Sequence, residues 1–203
     1  MPSLLDHGKQ RRKKITLKRE QLVVGIDLSS TKFAAVSTSG GVYISHKKTK
    51  FKNLVELKTH LSEFLDELSS GNYAAQRAYI EEAVVARGGS RVTIQQAYAM
   101  GAVRLVLEER NWSVSLVNVG TWKKQVVGNG RADKTAISEW LRTNDPELFS
   151  TFSGDQDLID AACVGRFGTS SLRTARILDE ERAMPRADSP ILLTTGRRRA
   201  TKG

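Results

Sequence analysis

The chain has 203 residues, of which 39% are hydrophobic and 27% charged, and its formal net charge at pH 7 is +10. Such a chain can bury a sizeable core, which excludes a disulfide-stabilised miniprotein, a collagen-like fibre and a wholly disordered protein. No apolar run approaches the roughly 20 residues of a membrane-spanning helix, and the charged N-terminus lacks the pattern of a secretory signal. Cys163 is the single cysteine, so we expect a cytoplasmic protein with this residue in its core and no membrane association.

The positive charge is concentrated at the two ends of the chain. Residues 1–20 carry a net charge of +5 and residues 194–203 carry +4, which leaves only +1 for the rest. We expect residues 1–20 to be a disordered arm and residues 169–203 to be a largely flexible extension. Basic arms suit a polyanion such as nucleic acid, because each neutralised phosphate releases counterions. The alternative is that the arms are solvated tails that only aid solubility.

The first predicted elements are three short strands. An apolar run from Gln21 to Asp27 is typical of a buried strand, and strand-like runs follow at 32–38 and 42–46. The intervening Ser39-Gly40-Gly41 favours a hairpin, because glycine adopts positive φ angles without steric cost. We therefore expect an antiparallel meander.

Helices and strands then alternate along the chain. Apolar residues recur at helical spacing from Leu54 to Leu68. The later predictions are a strand at 77–81, a glycine-rich loop at 88–90, a helix at 91–110, a strand at 113–119, a lysine-rich turn, a helix at 132–143, a break at 144–146 and a last helix at 156–167, with little fixed structure past about residue 180. This order predicts an α/β fold with a mixed five-stranded sheet, in which three antiparallel strands are followed by parallel crossovers and helices flank the sheet.

Four acidic residues stand next to apolar runs. Asp27 and Glu81 each end a predicted strand, and Asp157 and Asp160 share one face of the last helix. Carboxylates near a core are costly unless they are paired or bound to a metal. Oxygen ligands favour Mg²⁺, for which Mn²⁺ can substitute, and two such ions can support phosphodiester hydrolysis. Each acid alone has a plainer interpretation, as a turn former, a helix cap or a solvated edge.

These segments resemble the RuvC-type four-way (Holliday) junction resolvases of the ribonuclease H-like superfamily. The sequence VVGIDLSSTKFAAV is similar to the family's first strand with its catalytic aspartate, here Asp27. AYIEEAV is similar to the strand with the catalytic glutamate, here Glu81 rather than Glu82, and DLIDA is similar to the final D-x-x-D-A, here Asp157 and Asp160. The resemblance covers about residues 21–168, which we interpret as one nuclease domain of the ribonuclease H-like fold.

The strongest local match is the basic segment WKKQVVGNGRADK. It resembles the family's K-x-x-V-V-G-x-G-x-A-x-K and supplies Lys123, Gly128, Gly130 and Lys134. Glycines let the backbone approach a phosphate, and a helix beginning nearby favours an anion. We expect Trp122, just before the lysines, to be half-buried in packing, with stacking on a base or sugar as the alternative.

The resemblance implies Mg²⁺-dependent nicking of branched DNA by a homodimer, with no small-molecule cofactor. Asp27, Glu81, Asp157 and Asp160 are the expected metal ligands and catalytic acids, and hydrolysis leaves a 5′-phosphate. Lys134 is expected to stabilise charge at the scissile phosphate. The expected DNA-binding positions are Lys123, Lys124, Gly128, Gly130, Arg87 and Arg91.

Two positions depart from the family's pattern. Leu28-Ser29-Ser30 follows the first aspartate where the family often has Pro-Gly, and Val84 stands where bacterial members carry an aromatic residue. The second departure makes broader cleavage of flaps or forks an alternative to strict junction specificity. The sequence is also compatible with a non-catalytic nucleic-acid-binding module. An actin-like phosphotransferase fits less well, because it would need a second domain and the sequence shows no second phosphate-binding hairpin.

Overall fold

A computed structural model describes residues 20–71, 73–82 and 90–183 of the protein. These residues form a mixed five-stranded sheet in the order β3-β2-β1-β4-β5, which confirms the predicted fold class. The strands are β1 Gln21–Leu28, β2 Lys32–Ser39, β3 Val42–Lys50, β4 Ala75–Glu81 and β5 Ser113–Val117. The antiparallel pairs β1–β2 and β2–β3 form the predicted meander, and β4 and β5 join β1 in parallel.

Six helices connect or follow the strands in the described ranges. They are α1 Leu54–Leu68, α2 Ser90–Glu109, α3 Val119–Val126, α4 Lys134–Asn144, α5 Pro146–Phe152 and α6 Gln156–Ala183. The predicted lysine-rich turn is helix α3, whose first turn is capped by the Asn118 side chain accepting from Gly120 N–H. The predicted break at 144–146 is the start of α5, because Asp145 caps it and Pro146 occupies its first turn.

The sheet buries both of its faces. On one face, alternate residues of β1 pack with α1 and α2, and Leu22, Val24 and Ile26 belong to this core. On the other face lies α6, where the β1 backbone at Gly25 meets the helix backbone at Gly165. A Cβ on Gly25 would lie 2.1 Å from the carbonyl oxygen of Ala161, so no larger residue fits between β1 and α6.

The last helix is longer than predicted. It begins at Gln156 as expected but continues past residue 167 to Ala183. The chain divides into two compact units after Thr169, and the described part of the second unit is the continuation of this helix. The proposed N-terminal arm lies almost entirely outside the described residues, as does the end of the C-terminal extension. No helix in the described ranges is long and apolar enough to cross a membrane.

Candidate active site

Asp27 and Glu81 lie side by side at the ends of adjacent parallel strands. Ile26 of β1 pairs with Ile80 of β4, so each acid follows a paired and fully buried residue. Asp27 points to the same face of the sheet as Gly25, because alternate residues of a strand share a face. That face is covered by α6, which carries the other two predicted acids.

The first turn of α6 carries Asp157 and Asp160. The Asp155 carboxylate caps this turn by accepting from the backbone N–H groups of Asp157 and Leu158, at 3.1 and 3.3 Å. The Gln156 side chain donates to Asp160 Oδ1 at 2.7 Å and accepts from the Ser138 hydroxyl at 3.0 Å. Asp160 therefore has a fixed orientation, held by the helices α4 and α6.

Asp27 is the electrostatic centre of the acid group. Its pKa is raised to about 7, first by burial and then by the charges of Glu81, Asp160 and Asp157, against an opposing effect of Lys32. Within the described ranges, no side chain donates a hydrogen bond to the Asp27 carboxylate. The four predicted acids thus lie close enough to repel one another, and Asp27 has the least compensation.

Glu81 and Asp160 are partly compensated by neighbouring donors. Burial raises the pKa of Glu81, and the indole N–H of Trp122 opposes this by donating to Glu81 Oε2 at 2.8 Å. Burial likewise raises the pKa of Asp160, against the hydrogen bond from Gln156. Trp122 is fully buried, so it neither stacks on DNA nor packs half-buried as predicted, but holds the orientation of Glu81.

Asp157 has the opposite electrostatics. Burial raises its pKa, but the ammonium groups of Lys48 and Lys32 outweigh this and leave the pKa below its usual value. Lys48 Nζ lies 2.8 Å and Lys32 Nζ 3.3 Å from Asp157 Oδ2, and Lys48 also contacts Asp155 at 2.6 Å. The outer end of the acid group is therefore neutralised by lysines of β2 and β3.

Two of the predicted basic residues lie near the acids. Lys123 Nζ donates to the carbonyl of Ala132 at 2.8 Å, and its charge lowers the pKa values of Glu81 and Asp160. Lys134, the first residue of α4, also lowers the pKa of Asp160. The predicted positive charges therefore act on Glu81 and Asp160, whereas Lys32 and Lys48 bind Asp157.

The other predicted DNA-binding residues are more dispersed. Lys124 is exposed and lines a separate shallow cleft of about 560 Å³ with Asn118 and Thr121. Gly128 has a φ of 87°, and a Cβ on Gly130 would lie 3.0 Å from a backbone carbonyl, so both positions favour glycine. These conformations create the turn that carries the chain from α3 to α4.

Only one of the two predicted arginines, Arg91, belongs to the described residues. Arg87 and Val84 lie outside the described residues. Arg91 is exposed in the first turn of α2, and within the described ranges it makes no ion pair with any of the acids. Leu28-Ser29-Ser30, which stands where the family often has Pro-Gly, still forms the turn between β1 and β2. The Ser29 hydroxyl stabilises this turn by accepting from the N–H of Lys32 at 2.9 Å.

The donor chemistry of the acids fits a hard divalent cation. All of the site's acidic donors are carboxylate oxygens, and burial together with mutual repulsion disfavours their charged forms. Across the described ranges, no three histidine, cysteine or acidic side chains are arranged to hold one ion. Mg²⁺ retains several waters and is commonly bound through one or two carboxylates, so Asp27 with Glu81 or Asp160 suffices for a first ion.

Sequence reasoning missed Lys32, Lys48 and the role of Trp122. Their partners are far away in the chain: Lys32 and Asp157 are 125 positions apart, and Trp122 and Glu81 are 41 apart. Lys48 belongs to no motif, and Lys32 lies in the first-strand segment VVGIDLSSTKFAAV without a role that the segment itself indicates. Only the strand order, which places β2 and β3 beside β1, would have indicated that they reach α6.

The fold is shared with solved junction-resolving enzymes. The structure is similar to RuvC of Thermus thermophilus, with a TM-score of 0.58 and 16% identity over 76% of this chain and 96% of that one. The same enzyme in complex with a Holliday junction substrate gives 0.57 and 15%, over the same shares. The yeast mitochondrial Holliday junction resolvase Ydc2 gives 0.53 and 12%, over 79% and 83%.

By sequence, the chain matches no protein-family model and no curated protein. The similarity is therefore one of structure, and it spans nearly the whole length of the Thermus enzyme. The chain has the fold of the RuvC-type Holliday junction resolvases.

Proposed function

We propose that the protein is a divalent-metal-dependent endonuclease that nicks four-way DNA junctions. The observation that carries this proposal is the convergence of Asp27, Glu81, Asp157 and Asp160 at one end of the sheet, with Asp27 half-buried and its pKa raised to about 7. An acid group of this kind stores repulsion that a divalent cation relieves. The resolvase fold supports the substrate class.

Each residue has a role in the proposed reaction. Asp27 together with Glu81 or Asp160 would hold Mg²⁺ or Mn²⁺, which when bound would activate water and offset charge on the leaving oxygen. Asp157 completes the set once its lysines are displaced. Lys134 stabilises negative charge on the scissile phosphate, and Lys123, held by its hydrogen bond to Ala132, binds the neighbouring backbone together with Lys124. In-line hydrolysis leaves a 5′-phosphate and a 3′-hydroxyl.

The decisive experiment compares Mg²⁺-dependent cutting of four-way, three-way, flap and linear duplex DNA of matched length. Wild-type protein is expected to place paired symmetric nicks in the four-way substrate. Asp27→Asn should lose nicking while it keeps or strengthens DNA binding, because the substitution removes one negative charge from the surface that faces DNA.

The outcomes separate the candidate functions. Equal cutting of flaps and forks would favour a broader branched-DNA nuclease of the same fold. Binding of all substrates with no cutting by the wild type in Mg²⁺ or Mn²⁺ would favour a non-catalytic binding module. Unchanged nicking by Asp27→Asn would refute the assigned site.

A symmetric junction calls for two active sites, and α2 offers a surface for a homodimer. Ile94, Tyr98 and Leu105 lie on one stripe of this helix and are 49%, 65% and 57% exposed. Gly101 lies in the same stripe with open space where a Cβ would stand, so a second helix could approach closely. We expect sedimentation velocity to show a dimer for the wild type and a monomer for Leu105→Glu.

A further inference from the structure

A row of side chains crosses the sheet from the acid group to its edge. Asp27 of β1 pairs with Ala34 of β2, and Ala34 pairs with Lys48 of β3. Directly paired residues point to the same face, so Lys48 lies on the face that carries the acids, roughly 10 Å from Asp27 at about 4.8 Å per strand. The intervening Ala34 is small and buried, which leaves no large side chain of β2 in the row between them.

Two further lysines form a second row beside the first. Lys32 of β2 pairs with Lys50 of β3, two residues from the pair of Ala34 and Lys48. All three lysines line a cleft of about 720 Å³, together with Lys47, His46 and Asp155. Because β3 is the outer strand of the sheet in the described ranges, this cleft is open along one side.

A ligand in the cleft can bind all three lysines, because their existing ion pairs are absent or replaceable. Lys50 is exposed and has no ion pair within the described structure. Lys32 and Lys48 are paired with Asp155 and Asp157, but the side chains in these pairs are 25% to 46% exposed. Ion pairs this accessible to water are weak, so a phosphate or a cation at Asp157 can replace them.

We propose that Lys32, Lys48 and Lys50 form a binding site for the DNA backbone that flanks the cut phosphate. The inference rests on the function proposed above and adds a second basic surface to it. Lys123 and Lys134 approach the acids from α3 and α4, whereas the three lysines approach from the sheet edge. A DNA strand bound by both groups of lysines would have its scissile phosphate fixed over Asp27. Phosphodiester hydrolysis needs this positioning.

The competing explanation is that these lysines only neutralise the start of α6. That role is met by Lys48, which reaches both Asp155 and Asp157. It gives no account of Lys50, which faces the same cleft without an acidic partner in the described residues. Lys50 is therefore the most informative position for a test.

The test measures the salt dependence of binding to a four-way junction by fluorescence anisotropy, in EDTA so that no DNA is cut. The double variant Lys48→Gln with Lys50→Gln is compared with Lys58→Gln, an exposed lysine of α1 on the opposite face of the sheet. Each lost phosphate contact lowers the slope of log K against log salt by about 0.7 to 0.9. We expect the double variant to lose about 1.5 from this slope and Lys58→Gln to lose nothing.

A second measurement locates the contact. Single methylphosphonates, which remove one backbone charge each, are placed at successive positions beside the cut. At the contacted phosphate the replacement should weaken binding by wild type and by Lys58→Gln but have no further effect on the double variant. Circular dichroism of all variants confirms that they are folded.

The outcomes distinguish this inference from the proposed function. Equal slopes for the double variant and Lys58→Gln, with junction binding intact, would overturn the lysine site alone. Lack of junction binding by the wild type, or full nicking by Asp27→Asn, would overturn the proposed function and this inference with it.

Discussion

The two ends of the acid group solve the same electrostatic problem in opposite ways. Asp27, Glu81 and Asp160 are half-buried with raised pKa values, and no lysine forms an ion pair with them in the described structure. Asp157 sits in the same group but has a lowered pKa, because Lys48 and Lys32 bind it directly.

This difference indicates which carboxylates need a positive charge from outside the protein. At the outer end the protein supplies its own positive charge, so the carboxylates are stable without a ligand. At the inner end the compensation is incomplete, consisting of two hydrogen bonds and the charges of Lys32, Lys123 and Lys134. The inner acids therefore gain most from a bound divalent ion, and the contrast leads to three predictions.

The largest effect is expected from removing the inner acid Asp160. Removing Asp155, which caps the first turn of α6, should have little effect. Asp160→Asn should lower the single-turnover nicking rate by about 10³-fold, equivalent to roughly 4 kcal/mol of activation free energy. Asp155→Asn keeps a helix-capping side chain and only removes a partner of Lys48, so its rate should stay within a few-fold of wild type. Equal losses for the two variants would erase the distinction between inner and outer acids.

The second prediction concerns stability against pH in the absence of metal. An unfolded Asp27 titrates near 3.8 and the folded one at about 7, so the folded state binds more protons in this window. The free energy of unfolding should therefore fall as pH rises from about 4 to 7, by up to about 4 kcal/mol. Asp157 contributes in the opposite sense: its lowered pKa gives stability that is lost as pH falls below about 4.

Urea unfolding at a series of pH values measures this slope. Asp27→Asn should reduce this slope between pH 4 and 7, leaving the contributions of Glu81 and Asp160, whereas Asp157→Asn should mainly change the acidic limb. Millimolar Mg²⁺ at pH 7.5 should raise the unfolding midpoint of the wild type but not that of Asp27→Asn. A wild-type slope that survives in Asp27→Asn would show that another group titrates.

The smallest effect is expected at the hydrogen bond that orients Glu81. Trp122→Phe keeps a large ring in the core but removes the N–H that donates to Glu81 Oε2 at 2.8 Å. The pKa of Glu81 should rise further, because this hydrogen bond lowers it. We expect a roughly ten-fold slower reaction at neutral pH, since groups that orient metal ligands are worth about 10- to 100-fold.

The matched control is Trp112→Phe, at a buried tryptophan of the core on the other face of the sheet. It should lower stability without shifting the pH profile of nicking. In Trp122→Phe the acidic limb of that profile should move to higher pH, so that part of the rate returns above pH 8. Identical pH profiles for the two variants would assign Trp122 a packing role only.

The strands, the antiparallel meander and the parallel crossovers were predictable from the sequence, because the signals are local. An apolar run ending in Asp27 and a D-x-x-D on a helix are visible within a few residues. The helix α3 was missed because its only buried residue is Trp122, which leaves no apolar periodicity to detect. The helix α5 was missed because Asn144-Asp145-Pro146 is typical both of a break and of a helix start.

The lysines of the sheet edge could not have been assigned to the site from the sequence. Lys32 begins β2 and Lys48 lies in β3, and the acid that binds both is 125 residues from Lys32. Such pairings depend on how α6 crosses the sheet, and no local pattern encodes that crossing.

The direct meeting of Gly25 and Gly165 has a consequence for how this protein tolerates change. A Cβ on Gly25 would overlap the backbone of α6, so the spacing between Asp27 and the acids of α6 is set by main chain against main chain, with no side chain that can relax. A saturation mutagenesis screen for nicking should therefore rank Gly25 beside the carboxylates, although glycine has no functional group to offer a substrate. In this molecule, mutational intolerance and chemical participation are separate properties, and only the structure tells them apart.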